Sequence, residues 1–417
     1  DDLRLLIQVP DESGSPLLAG AVWFDDALAS GTVDYPAPRY AIDDLHVLYT
    51  GGTTGMPKGV LWRQADILIA ALGGRRPDGG ENEVADFVRC AQRTASRTLP
   101  AGPFMHASGR WTAMSQILLG NTVLLPNNTR RLDADDIWST LEREQAAGLN
   151  IAGDAFARPL LEQLGRKHYD LSSLRMIFSG AAVLSASAKR GLLEKLPQIG
   201  IADTIGASET GPQAASVVKA GDVVSKPSFS LTSDTTVLSS DLTQVLPPSN
   251  HEIGWMARAG RVPLGYLGDA AKTQATFPTI AGVRYAVPGD RARWDEHGAI
   301  ELLGREAAVI NSGGEKVFAE EVEQALKHHP AVFDTVVVGR PSPRWGQEVV
   351  AVVQMRPGAA AVTDDDLRAV AGHHVARYKL PKAVIRVPAV ERSPSGKPDY
   401  RWAAAIAMEL GSEEGTP

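Results

Sequence analysis

The sequence has a single cysteine, Cys90, among its 417 residues, which excludes an internal disulfide framework and favours a reducing compartment. No motif for thiol chemistry surrounds Cys90, so we expect it to be a buried and inert residue. No apolar run approaches the ~20 residues that a membrane-spanning helix needs. The best run, Ile67–Leu72, predicts a core helix, and Leu3–Ile7 predict a strand rather than a signal peptide. We therefore expect a soluble protein of the cytoplasm with no transmembrane segment.

The chain also lacks the excess of basic residues that is typical of nucleic-acid-binding proteins. Its formal net charge is −7, so no nucleic-acid partner is expected. Apolar residues make up 44% of the chain and charged residues 22%, which is ordinary for a globular protein. A chain of this length exceeds one compact core, and we expect two or three domains.

Residues 45 to about 200 alternate short β-rich runs with amphipathic stretches of helical length. Met176–Phe178 are a predicted strand, and Ile137–Gln145 and Ala186–Leu196 are predicted helices. Such alternation is typical of βαβ units and a largely parallel sheet. From about residue 230 to 303, short β segments separated by turn residues predict a β subdomain on the same body.

The C-terminal part of the chain predicts a separate α+β unit. It contains two predicted helices, Glu320–His328 and Asp364–Ala376, and Thr363 is placed to cap the second. The fold class is therefore α/β, with a large N-terminal body of largely parallel sheets flanked by helices, a β subdomain and a small C-terminal α+β domain. The predicted boundaries are a large domain at 1–303, a connection at 304–308, the small domain at 309–411 and a tail at 412–417.

The most informative stretch, residues 49–59, reads YTGGTTGMPKG and follows an apolar strand. Its glycines let backbone N–H groups approach phosphate oxygens, and its threonine hydroxyls can donate as well. Lys58 supplies a mobile positive charge for a polyphosphate. The stretch is not a Walker loop, because Gly59 follows Lys58 where a serine or threonine should bind magnesium. A surface turn rich in glycine and threonine is the structural alternative.

This stretch resembles the signature loop of the adenylate-forming superfamily of acyl-CoA synthetases, luciferases and peptide-synthetase adenylation domains. Gly51 replaces the serine that is usual in that loop. The resemblance extends from about residue 40 to residue 400, and it implies ATP, Mg²⁺ and the co-substrate coenzyme A. In the loop it implies that the nucleotide is bound by Thr50, Gly51, Gly52, Thr53, Thr54, Gly55 and Lys58. It also implies that Thr53 lies at the metal and that Lys58 takes part in catalysis.

Two later segments are similar to nucleotide-binding motifs of the same family. Residues 178–182, FSGAA, look like the segment that lies against adenine, and residues 203–211, DTIGASETG, resemble the motif Tyr-Gly-x-Thr-Glu. The implied nucleotide contacts are Gly180, Ala181, Ala182, Asp203, Thr204, Ile205, Gly206 and Ser208. Ile205 stands where the family commonly has an aromatic ring. Glu209 is implied to hold Mg²⁺, for which carboxylate oxygens are suitable ligands.

The segments Pro288–Asp290 and Gly304–Arg305 resemble the Thr-Gly-Asp and Gly-Arg motifs of the family. The resemblance implies that Asp290 accepts hydrogen bonds from the ribose hydroxyls. It implies that Arg305 contacts the ribose or phosphate at the junction of the domains. Without the family, a Pro-Gly-Asp sequence is only a turn.

Residues 393–397, SPSGK, match the Pro-x-x-Gly-Lys segment of the family near the C-terminus, and a solvated surface lysine is the structural alternative. Attack of a carboxylate on the α-phosphate builds negative charge, which the ammonium of Lys397 would stabilise. The resemblance implies that residues 309–411 form a mobile lid, which brings Lys397 in for adenylation and then rotates. Gly313 and Gly314 would then face the thiol donor, and Ala307 stands at the usual hinge position.

Residues 104–111, FMHASGRW, look like the family segment beside the acyl site. His106 is expected to contact the acyl carboxylate or to guide the thiol, and a core histidine with satisfied hydrogen bonds is the alternative. Gly109 and Trp111 are expected to line the space for the acyl group. The amino-acid sequences of the loop and of residues 313–318 are similar to those of actinobacterial fatty-acid and steroid-acid CoA ligases. The choice between a fatty acid and a steroid acid stays open.

The sequence thus predicts ATP-dependent activation of a fatty or steroid-like acid to acyl-AMP, with release of pyrophosphate, followed by transfer to coenzyme A to give acyl-CoA and AMP. The alternatives are transfer to a carrier-protein thiol and an inactive nucleotide-binding homologue. Family members generally have a longer segment before the phosphate loop than the 48 residues here, so the large domain is expected to lack its usual first part. Whether the protein forms a homodimer stays open.

Overall fold

The computed structural model describes residues 5–11, 13–31, 39–50, 57–76, 79–222, 229–359, 361–393 and 396–409. The chain forms two compact units, Asp1–Ile42 and Asp43–Pro417. In the first unit, the strands β1 (Leu6–Gln8) and β2 (Ala21–Trp23) pair in parallel, and the helix α1 (Phe24–Ser30) follows β2 directly.

The second unit begins with a body that alternates strands and helices. Its strands are β3 (Leu45–Thr50), β4 (Lys58–Arg63), β5 (Arg97–Pro100), β6 (Thr122–Val123), β7 (Gly148–Ile151), β8 (Met176–Ser179), β9 (Gly200–Ala207), β10 (Gly211–Lys219), β11 (Ser230–Leu231), β12 (Thr235–Leu238), β13 (Val245–Leu246), β14 (Gly254–Arg258), β15 (Gly265–Tyr266), β16 (Thr279–Ile280), β17 (Val283–Arg284), β18 (Asp290–Trp294) and β19 (Ile300–Arg305). Its helices are α2 (Gln64–Ala71), α3 (Val84–Ala91), α4 (Ala107–Leu118), α5 (Ala134–Arg143), α6 (Gly153–Leu164), α7 (Ala186–Lys195) and α8 (Ala270–Thr276).

The largest sheet of the body has the strand order β11-β10-β9-β8-β7-β5-β6. The five strands from β9 to β6 are parallel, whereas β10 and β11 are antiparallel additions at one edge. Leu149, Ile177 and Ile201 from three of these strands are fully buried in one core with Trp138 of α5 and Leu160 of α6. This arrangement confirms the predicted α/β body with a largely parallel sheet, because apolar strands of that kind are covered by helices.

Three smaller sheets complete the body. The antiparallel sheet β13-β12-β14-β18-β19 is the predicted β subdomain, and the antiparallel sheet β15-β4-β3 carries the strands on either side of the predicted phosphate loop. The strands β16 and β17 form a short hairpin. Residues 51–56 lie outside the described residues, so the fold positions the loop through its flanking strands.

The lid, residues 309–411, has its own sheet and its own core. Its elements are β20 (Val309–Ser312), β21 (Glu315–Phe318), α9 (Ala319–Leu326), β22 (Val332–Ser342), β23 (Gly346–Met355), α10 (Asp364–Gly372), β24 (Ala383–Val387) and α11 (Tyr400–Glu409). The strands follow the order β21-β20-β23-β22, and β24 pairs in parallel with β23. Helices α9 and α10 share a buried core with the alternating residues Val349, Ala351 and Val353 of β23. The small α+β architecture is as predicted, while the boundaries at 303/304 and 308/309 stay a prediction.

The structure confirms one local prediction and corrects two others. The hydroxyl of Thr363 accepts from the backbone N–H of Asp366, which confirms the predicted helix cap. The helix predicted to reach Ala376 ends at Gly372, since glycine has a poor helix propensity. Cys90, expected to be buried, is partly exposed on α3. Among the described residues, no helix has the length and apolar character that crossing a membrane requires.

Candidate active site

A cavity of about 660 Å³ lies between the large parallel sheet of the body and the lid. Its volume falls within the range of small-molecule binding pockets. The predicted site residues that line it are Ala181, Ala182, Asp203, Thr204, Ile205, Gly206, Asp290, Arg305 and Lys397. The structure therefore gathers residues from five separate segments of the sequence around one space.

The floor of the cavity is formed where two parallel strands end at different levels. Ser179, the last residue of β8, pairs with Asp203 in the middle of β9. The segment Gly180–Ala182 leaves the sheet there, with Ala181 in a left-handed conformation (φ +67°), while β9 continues past it. Ligands bind at the carboxyl ends of such strands, because neighbouring chain segments diverge and open a crevice.

Asp203 is held by a lysine that the sequence analysis did not single out. The Nζ atom of Lys189 lies 2.7 Å from Oδ2 of Asp203, and both side chains are nearly buried. Burial raises the pKa of Asp203, and Lys189 opposes that effect. A signal for this pair was present in the sequence: Lys189 lies on α7 beside the buried residues Ala188 and Leu192, and a lysine on an apolar helix face needs an acidic partner.

Asp290 and Arg305 face each other across the β18–β19 pair. They are register partners, and Nε of Arg305 donates to Oδ1 of Asp290 over 3.2 Å. The charge of Asp290 raises the pKa of Arg305, in spite of the burial that opposes it. Gly289, with φ +109°, provides the turn into β18 that only glycine adopts easily. The carboxylate of Asp290 is thus fixed at the wall of the cavity by a turn and an ion pair.

Glu209 lies in the turn between β9 and β10 and is bound to a tyrosine of another sheet. The hydroxyl of Tyr266 donates to Oε1 of Glu209 over 2.7 Å. Burial, together with the charge of Glu209, raises the pKa of Tyr266, so this hydroxyl keeps its proton. The indole N–H of Trp62 donates to the carbonyl oxygen of Ser208 over 2.9 Å and fixes the same turn. Tyr266 and Trp62 were both missed by the sequence analysis.

The strands that flank the predicted phosphate loop lie in the same sheet as Tyr266. Thr50 and Lys58 are register partners at the ends of β3 and β4, while Gly51, Gly52, Thr53, Thr54 and Gly55 lie outside the described residues. The Nζ atom of Lys58 lies 5.7 Å from the centre of the Tyr266 ring. It also forms an ion pair of 2.8 Å with Asp269, and both side chains are partly exposed. The structure therefore brings Lys58 and Glu209 to the same tyrosine.

Lys397 reaches the cavity from the lid. Its pKa is lowered by burial and by Arg305, while Glu209 and Asp290 act in the opposite direction. The pKa of His106 is lowered by burial and by Lys397. Lys397 lines the same cavity as Asp290 and Arg305, and its charge also influences His106 of the predicted acyl site.

The residues predicted for acyl and thiol binding are not among the described residues that line this cavity. His106 precedes α4 directly and has an Nε2 atom without a hydrogen-bond partner among the described residues. Trp111 lies in an apolar core, with its ring edge against Trp62 at 6.3 Å between centroids. Gly313 and Gly314, both with positive φ, form the exposed turn between β20 and β21. The acyl and thiol roles of these residues stay predictions.

Comparison with known proteins agrees with this geometry. Residues 9–250 match the family model described as AMP-binding enzyme, and residues 321–397 match that of the AMP-binding enzyme C-terminal domain. The medium-chain acyl-CoA ligase Mig of Mycobacterium avium is 51% identical over 409 residues, which are 97% of this chain and 74% of that protein.

A medium/long-chain-fatty-acid–CoA/3-oxocholest-4-en-26-oate–CoA ligase of Mycobacterium tuberculosis is 44% identical over 96% of this chain and 73% of its own length. Among solved structures, ATP-bound MatB from Rhodopseudomonas palustris has a TM-score of 0.75 at 22% identity and covers 94% of this chain and 75% of its own. That likeness shows the fold, and the family matches agree with the motifs read from the sequence. The chain belongs to the AMP-binding enzyme family, the adenylate-forming superfamily that its phosphate loop predicted.

Proposed function

We propose that this chain activates a carboxylic acid with ATP to acyl-AMP and then transfers the acyl group to coenzyme A. The observation that carries the proposal is the position of Lys397. A lysine of the lid enters the cavity at the carboxyl end of the parallel sheet, within electrostatic reach of Asp290, Arg305 and Glu209. This is the arrangement that an adenylating enzyme needs, because charge develops on the α-phosphate during the reaction.

The residues around the cavity are suited to adenosine. Ile205 and Ala181 offer apolar surface for the base, and the fixed carboxylate of Asp290 is suited to accept hydrogen bonds from ribose hydroxyls. Only one of its oxygens is bound by Arg305, which leaves the other oxygen for the sugar. The roles of these residues rest on their position and on the family motifs.

Glu209 is the residue proposed to hold Mg²⁺. Magnesium in nucleotide sites is commonly bound by one or two carboxylates together with substrate phosphates, so a single glutamate is sufficient. Tyr266 orients the carboxylate through Oε1, and Thr53, the second proposed contact, lies outside the described residues. Bound there, the ion would neutralise negative charge on the triphosphate.

The first half-reaction forms the adenylate. A carboxylate oxygen of the acid attacks the α-phosphorus, and the bond from that phosphorus to the bridging oxygen of pyrophosphate breaks. Negative charge that develops on the α-phosphate is stabilised by the ammonium of Lys397, while Lys58 is proposed to bind the departing phosphates. The products are acyl-AMP and pyrophosphate.

The second half-reaction needs the thiol at the acyl carbonyl. The sulfur attacks that carbon, the bond from the carbon to the oxygen of AMP breaks, and the thiol proton is released to water. Rotation of the lid would withdraw Lys397 and present the Gly313–Gly314 turn, whose lack of side chains leaves room for pantetheine.

The acid is proposed to be a medium- or long-chain fatty acid or a steroid acid. The relatives of Mycobacterium avium and Mycobacterium tuberculosis are named for such acids, and their identity to this chain extends over nearly its whole length. A cytoplasmic location stays a prediction from the sequence, and whether the protein forms a homodimer stays open.

The test is ATP–pyrophosphate exchange over a panel of fatty, aromatic and steroid acids. We expect exchange with fatty or steroid acids, and AMP release that depends on added CoA. Exchange with none of the acids would contradict the proposal. Exchange followed by transfer to a phosphopantetheinyl protein but not to CoA would replace coenzyme A as the acceptor.

A further inference from the structure

The helix α6 of the body presents a row of charged side chains to the lid. Asp154, Arg158 and Glu162 follow one another at intervals of four residues and therefore lie on one face of the helix. Each contacts a group of the lid. The contacts are Asp154 Oδ2 to Lys327 Nζ at 3.5 Å, Arg158 Nη1 to the carbonyl oxygen of Val332 at 3.4 Å, and Glu162 Oε1 to Arg356 Nη1 at 3.5 Å.

The contact of Asp154 continues through the lid to the residue before Lys397. Lys327 Nζ lies 3.1 Å from Oδ1 of Asp334, and Asp334 accepts two hydrogen bonds from the guanidinium of Arg392, over 2.6 and 2.8 Å. Arg392 Nη1 in turn donates to the carbonyl oxygen of Gly396 over 2.9 Å. An unbroken series of charged contacts thus joins the body to the turn that carries Lys397.

The same turn also touches the beginning of α6 directly. Gly396 is buried and has φ +76°. A Cβ atom at Gly396 would lie 2.9 Å from the carbonyl oxygen of Ala152 and 3.2 Å from the Cβ atom of Ala155. The position of Lys397 is therefore set from two sides, by the charged series and by close backbone contact.

The ion pair between Asp154 and Lys327 is buried. The exposed fraction of the side chain is 2% for Asp154, 4% for Lys327 and 9% for Asp334. Burial alone would raise the pKa of Asp154, but Lys327 and Arg158 outweigh it and lower that pKa, so the group is ionised. Water screens contacts between buried charges only a little. The Glu162–Arg356 contact at the end of the row is exposed and therefore contributes little to holding the lid on the body.

The ion pair between Asp154 and Lys327 can also separate without leaving either charge unpaired. If the lid rotates, Lys327 keeps Asp334 as a partner. Asp154 keeps Arg158 at 3.3 Å and the backbone N–H of Ser185 at 2.8 Å. Neither charge is then left without compensation, which is the usual cost of breaking a buried ion pair.

We propose that Asp154 is a positioning residue for the first half-reaction only, which fixes the lid in the orientation where Lys397 faces Asp290 and Arg305. This inference rests on the proposed function. It assigns to α6 a part in orienting the lid that is separate from nucleotide or acid binding.

The test is Asp154→Asn, measured in the two half-reactions separately. Asparagine keeps an oxygen for the N–H of Ser185 and removes the charge that holds Lys327. With an acid that the unchanged protein accepts, we expect ATP–pyrophosphate exchange to fall about tenfold or more, while CoA transfer from synthetic acyl-AMP stays within about twofold. An equal fall in both half-reactions, or no fall in either, would overturn the proposal. Asp154→Glu, which restores the charge, should recover part of the exchange.

A matched control is Asp234→Asn. Asp234 is a nearly buried aspartate of the body that pairs with Arg75 and Arg258, and no described residue of the lid pairs with it. We expect this variant to change both half-reactions by the same factor. A selective loss of exchange in Asp234→Asn would show that the selectivity does not depend on the lid contact.

Labelling with an amine-reactive reagent gives a second measurement that needs no activity. Lys327, a residue of the lid, is buried where the lid docks on Asp154 of the body, so its labelling, measured against the exposed Lys195, should rise about tenfold in Asp154→Asn. Unchanged labelling would overturn the proposal. If the unchanged protein activates no acid, the proposed function fails, and the labelling of Lys327 still decides whether Asp154 holds the lid.

Discussion

The hydroxyl of Tyr266 donates to Oε1 of Glu209 over 2.7 Å, which joins the short strand β15 to the turn after β9. Because Lys58 lies 5.7 Å from the centre of the same ring, one tyrosine organises both sides of the proposed phosphate site. The glutamate and the lysine came from separate motifs, and the residue between them came from neither. A site predicted from motifs can thus depend on a side chain outside them.

Removal of this hydroxyl should weaken the metal dependence of adenylation. In Tyr266→Phe the ring still packs against Phe277, but Glu209 loses its donor. We expect the Mg²⁺ concentration for half-maximal ATP–pyrophosphate exchange to rise several-fold, to about tenfold, as for other residues that orient metal ligands. Tyr285→Phe is the control, since Tyr285 is buried in a different core. An unchanged Mg²⁺ requirement in Tyr266→Phe would contradict the proposed role of Glu209.

Gly396→Ala should impair adenylation through contact with α6. The change adds left-handed strain of about 1 kcal/mol and also places a Cβ atom 2.9 Å from the carbonyl oxygen of Ala152. Gly358→Ala is the matched control, because Gly358 has φ +84° and no atom within 4 Å of a Cβ. We expect similar losses of unfolding free energy from strain in both variants, with a marked loss of exchange only in Gly396→Ala. Equal exchange in the two variants would show that the contact does not matter.

The stability of the protein should depend on the protonation of Glu320. Burial, then the charges of Glu323 and Asp290, raise the pKa of Glu320 to about 7. The folded state therefore keeps a proton that the unfolded state has already lost. The contribution to stability is complete below the unfolded pKa of ~4.3 and is lost as the pH rises to about 7.

Urea unfolding at pH 5 and pH 8 measures this effect. Between those pH values, the unchanged protein should lose about 1 kcal/mol more unfolding free energy than Glu320→Gln, after allowance for partial exposure of the side chain. Glu321→Gln is the control, because Glu321 forms an ion pair with Lys379 instead. The same pH dependence in the unchanged protein and Glu320→Gln would exclude the raised pKa.

The fold was predictable where local patterns dominate. β8 begins at Met176, where its β-rich run predicted, and the cap at Thr363 follows from its side chain and the aspartates after it. The helix α6 was not indicated, because Gly153 and Pro159 within it are poor helix formers that only the surrounding core tolerates. The antiparallel edge strands β10 and β11 depend on pairing, which alternation along the sequence does not reveal.

The candidate site was predictable as a set of motifs but not as a set of contacts. Asp203, Asp290, Arg305 and Lys397 were named from the sequence, and the structure places all four at one cavity. The side chains that hold the predicted site residues lie far along the chain or in elements without a motif. Tyr266 is 57 residues from Glu209, and such a contact follows from the packing of two sheets rather than from local sequence.

The most direct test of the account is Lys397→Ala in the two half-reactions, with an acid that the unchanged protein activates. The side chain is proposed to stabilise charge on the α-phosphate only while acyl-AMP forms. We therefore expect ATP–pyrophosphate exchange to fall by about a hundredfold or more, while CoA transfer from synthetic acyl-AMP is retained. Undiminished exchange in Lys397→Ala would contradict the central claim that this lysine of the lid completes the adenylation site.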